Sequence, residues 1–133
     1  MVRSRMFRRL MLLAILSAAS PAVHAQVVSL VAGQAIPMGR RVFISEGNTY
    51  VIEGITVLLE VRGIIQRHLA EGGRSESAVL VLTEGAAHTE LPVGLSSATT
   101  RARFVSNGLR FTVFAIHHTG GIELSITRAP HVR

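Results

Sequence analysis

The sequence predicts an all-β fold, a single-domain antiparallel β-sandwich of about seven to eight strands built from two similar units. Three observations carry that expectation. Short runs rich in Val, Ile, Leu, Phe and Thr are separated by clusters of Gly, Asn, Pro and Ser, which is the pattern of strands and turns. Several of these runs alternate apolar and polar residues, so that one face of each strand is apolar. The third observation is an internal echo. Ile36, Pro37, Met38 and Gly39 return as Leu91, Pro92, Val93 and Gly94. Each copy is followed at a similar distance by a second echo, Tyr50, Val51, Gly54, Ile55 and Val57 in the first and Phe104, Val105, Gly108, Leu109 and Phe111 in the second. Self-similarity of this kind points to one supersecondary unit used twice, over about residues 27–83 and 84–133.

The first 25 residues are expected to be an export signal that is cut away. Arg3, Arg5, Arg8 and Arg9 form a basic head, Leu10 to Ala19 an apolar stretch, and Val23, His24 and Ala25 place small residues where a signal peptidase reads, so cleavage before Gln26 follows. The apolar stretch is shorter than the roughly 20 residues of a membrane span, which leaves no membrane span after cleavage and a periplasmic or secreted destination. Four of the 14 arginines lie in this segment and all eight glutamates beyond it, so residues 26–133 carry a net +2 rather than +6. A nucleic-acid partner thereby loses its electrostatic support. The chain has no cysteine, so the exported domain must be stable without disulfides, through apolar packing and sheet hydrogen bonds.

Candidate strands run in order over Val27–Val31, Arg41–Ser45, Thr49–Ile52, Ile55–Val61, Ala78–Thr83, Thr100–Val105, Leu109–His117 and Ile122–Arg128. Ile55, Val57, Leu59 and Val61 share one face, and Leu109, Phe111, Val113 and Ala115 repeat that parity in the second unit. The Pro and Gly of each first echo read as turns. His118, Thr119, Gly120 and Gly121 read as a tight hairpin. The corresponding place in the first unit holds an insertion, Gly63 to Ser77. There Ile64, Ile65, His68 and Leu69 have a spacing suited to one short helix, whereas a β-ribbon passing a bulge at Gly63 and turning at Gly72 and Gly73 suits a run that begins and ends in strands. The ribbon is the favoured expectation. Strand count and parity are similar to immunoglobulin-like sandwiches, although no Cys or Trp is present to form the core that marks true immunoglobulin domains. That resemblance implies a shape and no activity.

Residues with chemical potential are few. A metal site needs three or four converging ligands, and the candidates are His68, His117 and His118, with His88 as a further imidazole. Adjacent residues on a strand point to opposite faces, so His117 and His118 can chelate together only where the hairpin breaks that parity. Gly94, Leu95, Ser96, Ser97 and Ala98 approach a nucleophile elbow but end in Ala where the motif requires Gly. The glutamates show no paired-carboxylate arrangement, no phosphate or dinucleotide loop occurs, and the lack of aspartate excludes an EF-hand. No cofactor is therefore expected. Arg101 and Arg103 share a strand face that Arg110 joins from the neighbouring strand, and Phe114 presents an aromatic ring nearby. Such a face suits an anionic partner, and it also suits a solvated sheet surface that avoids aggregation. The leading expectation is a non-catalytic binding or accessory module of the bacterial envelope, of the chaperone, inhibitor or assembly-factor type, acting on another envelope or secreted protein. A histidine-based metal-binding protein is the alternative, and a small hydrolase with an unmarked triad a third.

Overall fold

A computed structural model describes residues 26–130; the expected export signal over residues 1–25, together with His131, lies outside the described residues. The described chain is all-β and contains ten strands, two more than the sequence suggested. They are β1 (Val28–Ser29), β2 (Ala35–Ile36), β3 (Val42–Ser45), β4 (Thr49–Ile52), β5 (Val57–His68), β6 (Arg74–Glu84), β7 (Ala87–Ser96), β8 (Ala102–Ser106), β9 (Leu109–His117) and β10 (Gly121–Arg128). One sheet, sheet A, has the order β1-β3-β10-β9-β8, and the other, sheet B, β2-β4-β5-β6-β7. All pairings are antiparallel except β1 with β3 and β2 with β4, which are parallel. Those two exceptions are two-residue edge strands of the incoming chain, too short to show a period.

The missed strand β7 explains itself physically. Pro92 and Gly94 look like punctuation in sequence, yet they lie mid-strand opposite Val79 and Ser77 of β6. Proline lacks the amide proton of a ladder and is tolerated where that side of the strand faces outward from the sheet; β7 is the last strand of sheet B. Gly39 behaves differently, turning the chain with φ +77°, while Gly94 does not have a positive φ. The first echo thus adopts a turn in one copy and a strand in the other. The second echo adopts hairpin turns in both, with Gly54 at φ +78° joining β4 to β5 and Gly108 at φ +72° joining β8 to β9. These two turns line the same open cleft at one end of the molecule, with Arg128 between them.

A single cluster of buried apolar side chains joins the two sheets. Sheet B contributes Tyr50, Leu59, Val61, Leu80 and Leu82, and sheet A contributes Ile44, Phe111, Val113, Leu124 and Ile126, all fully buried. Each large aliphatic or aromatic side chain removed from water in this way contributes about 1.5–3 kcal/mol. No charged side chain is buried among the described residues. The one buried hydroxyl, Tyr50 Oη, accepts a hydrogen bond from the Ser45 amide at 2.8 Å, which closes the corner between β3 and β4.

Two β-bulges set the direction of the side chains that matter below. Residues 63–64 of β5 are accommodated between the Arg62–Val79 and Ile65–Ser77 pairs, with Gly63 at φ +62°. The ribbon continues past this bulge to His68, turns with Gly72 at φ +92°, and returns as β6; the insertion is the expected ribbon rather than a helix. The corner at Glu46 and Gly47 fastens this region to its neighbour: the Ile64 amide donates to Glu46 Oε2 at 2.7 Å, and the Glu46 amide to the Gly120 carbonyl at 2.8 Å. The second bulge inserts Phe114 between the Val113–Leu124 and Ala115–Glu123 pairs. It overturns the expected parity of Leu109, Phe111, Val113 and Ala115. Ala115 is only partly buried and Ile116 takes the next inward place, because the extra residue reverses the alternation.

Candidate basic face on sheet A

The outward side of sheet A gathers most of the residues singled out from sequence. Arg103 on β8 is directly opposite Thr112 on β9, and Val105 is opposite Arg110. Arg103, Val105, Arg110 and Thr112 line one shallow depression together with Phe104. Arg101 immediately precedes β8, and its guanidinium carbon stands 5.2 Å from the centre of the Phe114 ring. Arg41, at the start of β3, covers the same ring at 4.3 Å. Phe114 is therefore held between two cations, each attracted to the negative face of the ring. The bulge produces this placement, since Phe114 is the residue left over from the ladder and is turned away from the core stack of Phe104 on Phe111.

Glu123 of β10 is the sole acidic residue in the strands of sheet A. Its carboxylate receives Arg41 Nη2 at 2.6 Å and faces His117 Nε2 at 3.3 Å. Partial burial opposes its ionisation, but the hydrogen bonds and charges of Arg41 and His117 together outweigh this and hold the carboxyl below its ordinary value. His117 also meets the Phe43 ring edge-on at 5.6 Å. Arg101, Arg103 and Arg110 make no ion pair among the described residues, whose pairs are Arg41–Glu123, His117–Glu123 and Arg62–Glu60. Three exposed guanidinium groups thus crowd one sheet face with no carboxylate to neutralise them.

The histidines are dispersed. His68 ends the β5 ribbon, His117 lies on the sheet A face, His118 begins the turn to β10, and His88 on β7 shares a 3.0 Å hydrogen bond with Thr83. Among the described residues no three His, Cys, Asp or Glu side chains converge to hold a metal ion, so the structure does not bring His68, His117 and His118 together as a ligand set. The Gly94 to Ala98 stretch forms no elbow: it leaves β7 and enters a turn in which Ser96 Oγ accepts the Thr99 amide at 3.1 Å. Sequence reasoning missed Arg41 and Glu123, which are 82 positions apart and meet only because β10 lies against β3. It also missed a shallow concavity on the outer side of sheet B, floored by Leu58 and Val81 and flanked by Glu60, Arg62, His88 and Glu90. No helix among the described residues is long and apolar enough to cross a membrane.

Comparison of the chain with known protein families, with curated proteins and with solved structures found no match in any of the three.

Proposed function

We propose that this protein is a non-catalytic binding module of the bacterial envelope, exported by its amino-terminal segment, and that it engages another envelope or secreted protein through the outer face of sheet A. The observation that carries this is the set of three guanidinium groups, Arg101, Arg103 and Arg110, that have no acidic partner among the described residues and surround a half-exposed aromatic ring. Leaving like charges together on a sheet costs stability, and an anionic surface brought against them recovers that cost at the interface. Depressions on this face are shallow and open, which suits a macromolecular contact better than an enclosed small molecule.

The architecture is read as an immunoglobulin-like sandwich grown from two similar units. The paired glycine-turned hairpins at Gly54 and Gly108 support that origin, as does their meeting at one end of the molecule. The test is crosslinking in envelope extract followed by recovery of the protein. A partner retained by the wild type and lost from a variant carrying Arg101→Glu, Arg103→Glu and Arg110→Glu is the expected result. Equal recovery by both proteins would remove the basic face from the function.

A further inference from the structure

Strand β8 is the last strand of sheet A, paired with β9 on one side only. Among the described residues no further backbone hydrogen bond is made to Ala102–Ser106, so its outer flank offers free amide and carbonyl groups. Its outward side chains are Arg103 and Val105, with Arg101 one residue before the strand; Val105 is 60% exposed, an unusual state for a valine flanked by two arginines in space. The remaining edges are poorer templates. β1 and β2 have two residues each, and Pro92 removes a donor from the middle of β7.

Charges on an edge keep identical edges apart. Two copies of β8 laid side by side would set arginine near arginine, so this edge selects against pairing with itself. Alternate residues of a strand recur every ~6.7 Å, and side chains directly across an antiparallel pair stand about 5 Å apart. Carboxylates placed at alternate positions of an added strand would therefore meet Arg103 and Arg101 in turn, and an apolar residue two positions earlier would cover Val105. Arg110, opposite Val105 on β9, strengthens the positive potential behind the same site.

We propose that the free edge of β8 receives an extended acidic peptide segment of the protein partner, added antiparallel, with an apolar side chain across from Val105 and carboxylates across from Arg103 and Arg101. Main-chain hydrogen bonds supply affinity in this mode, and the alternating side chains supply selectivity. The inference rests on the binding role proposed for the sheet A face and specifies what that face receives.

The probe is a seven-residue synthetic peptide with valine second, glutamate fourth and sixth, and threonine elsewhere, titrated into the purified protein while backbone amide resonances are followed. Shifts centred on Ala102–Ser106 are expected, with binding weakened about tenfold by Arg101→Glu with Arg103→Glu, as the loss of two exposed ion pairs and their replacement by repulsion dictates. A peptide of the same composition with adjacent glutamates should bind at least severalfold more weakly. N-methylation of the amides that face β8 should abolish binding without altering charge. Equal binding of the permuted or the N-methylated peptide, no shift at millimolar peptide, or stronger binding to vesicles of phosphatidylglycerol with phosphatidylcholine would each overturn strand addition. If crosslinked capture of a partner still depends on the arginines in that event, the binding face stands and only its mode of use falls; if capture is independent of them, the broader proposal falls as well.

Discussion

The ring of Phe43 occupies the space that a side chain on residue 121 would need. A Cβ placed on Gly121 would stand 2.6 Å from Phe43 Cε2 and 2.9 Å from the Ile44 carbonyl oxygen. The two residues lie on the adjacent central strands β3 and β10, where Gly121 is opposite Ser45 and Phe43 is opposite Glu123. An aromatic ring lying diagonally over a strand glycine covers backbone that would otherwise be wet. Replacing Gly121 with Ala should destabilise the protein by about 1–3 kcal/mol through overpacking. Urea unfolding measures this, and the imidazole resonances of His117, which touches the displaced ring, should move with it. A midpoint within error of the wild type would show that the ring yields freely.

The glycines of the first echo should respond oppositely to the same substitution. Gly39 has a left-handed backbone, so Gly39→Ala should cost about 1–2 kcal/mol even though nothing lies within 4 Å of the added carbon. Gly94 is an ordinary strand residue whose Cβ would reach the Glu76 carbonyl at 3.9 Å, a normal contact. Gly94→Ala should leave stability unchanged or raise it by about 0.5 kcal/mol, through the narrower unfolded ensemble. Paired denaturation curves check both.

Phe111 is fully buried and stacks on Phe104 with ring centres 5.1 Å apart. Phe111→Ala should cost about 3–5 kcal/mol and leave a cavity at the join of the two sheets. Phe104, on the edge strand and only partly covered, should cost less on the same change. Comparable losses at the two positions would mean that the edge carries as much of the core as the centre.

Acid should weaken the protein partly through Glu123. Its carboxyl, held below 4.5 in the folded state, contributes stability that is fully present above that value and is lost as pH falls through the folded pKa. Stability of the wild type should therefore decline as acid is added from about pH 4.5 downward, and Glu123→Gln should flatten that decline while lowering stability at neutral pH. Identical pH profiles for the two proteins would assign the acid sensitivity to other groups.

Arg101→Glu with Arg103→Glu should change unfolding free energy by no more than about 0.5 kcal/mol, because both side chains are exposed and neither makes an ion pair among the described residues. Thermal unfolding of the double variant against wild type measures it. A large loss would make these arginines structural and not free to serve a partner.

Much of this architecture was legible because burial imposes a period. Alternation along Leu109–Val113 and Ile122–Ile126 places their apolar sets inward as expected, and the ribbon over residues 63–77 follows from a run bounded by strands. Legibility failed where one residue breaks the count. Phe114 shifts the alternation in β9, so the apolar residues on both parities reflect a bulge rather than a strand covered on both sides. Pro92 conceals an edge strand, since proline marks a turn in one context and an outward flank in another. At the site, Arg103 and Arg110 could be joined by the hairpin at Gly108, a local relation. Arg41 and Glu123 could not, because the pairing of β3 with β10 depends on the global course of the chain.

The position of β10 has a consequence for the order of assembly. The final strand of the described chain lies between β3 and β9 in the interior of sheet A, and supplies Ile122, Leu124 and Ile126 to the core. The ribbon of β5, β6 and β7 pairs only with chain neighbours and can form early, whereas β3 waits with an unfilled flank across some 75 residues of intervening chain until Gly121–Leu124 arrive. Loop closure over that separation is slow relative to hairpin formation. A nascent or partly translocated chain therefore stays open along one seam, exposing the inward side chains of β3 and β9 to chaperones and proteases, and seals only when nearly its whole length has been delivered.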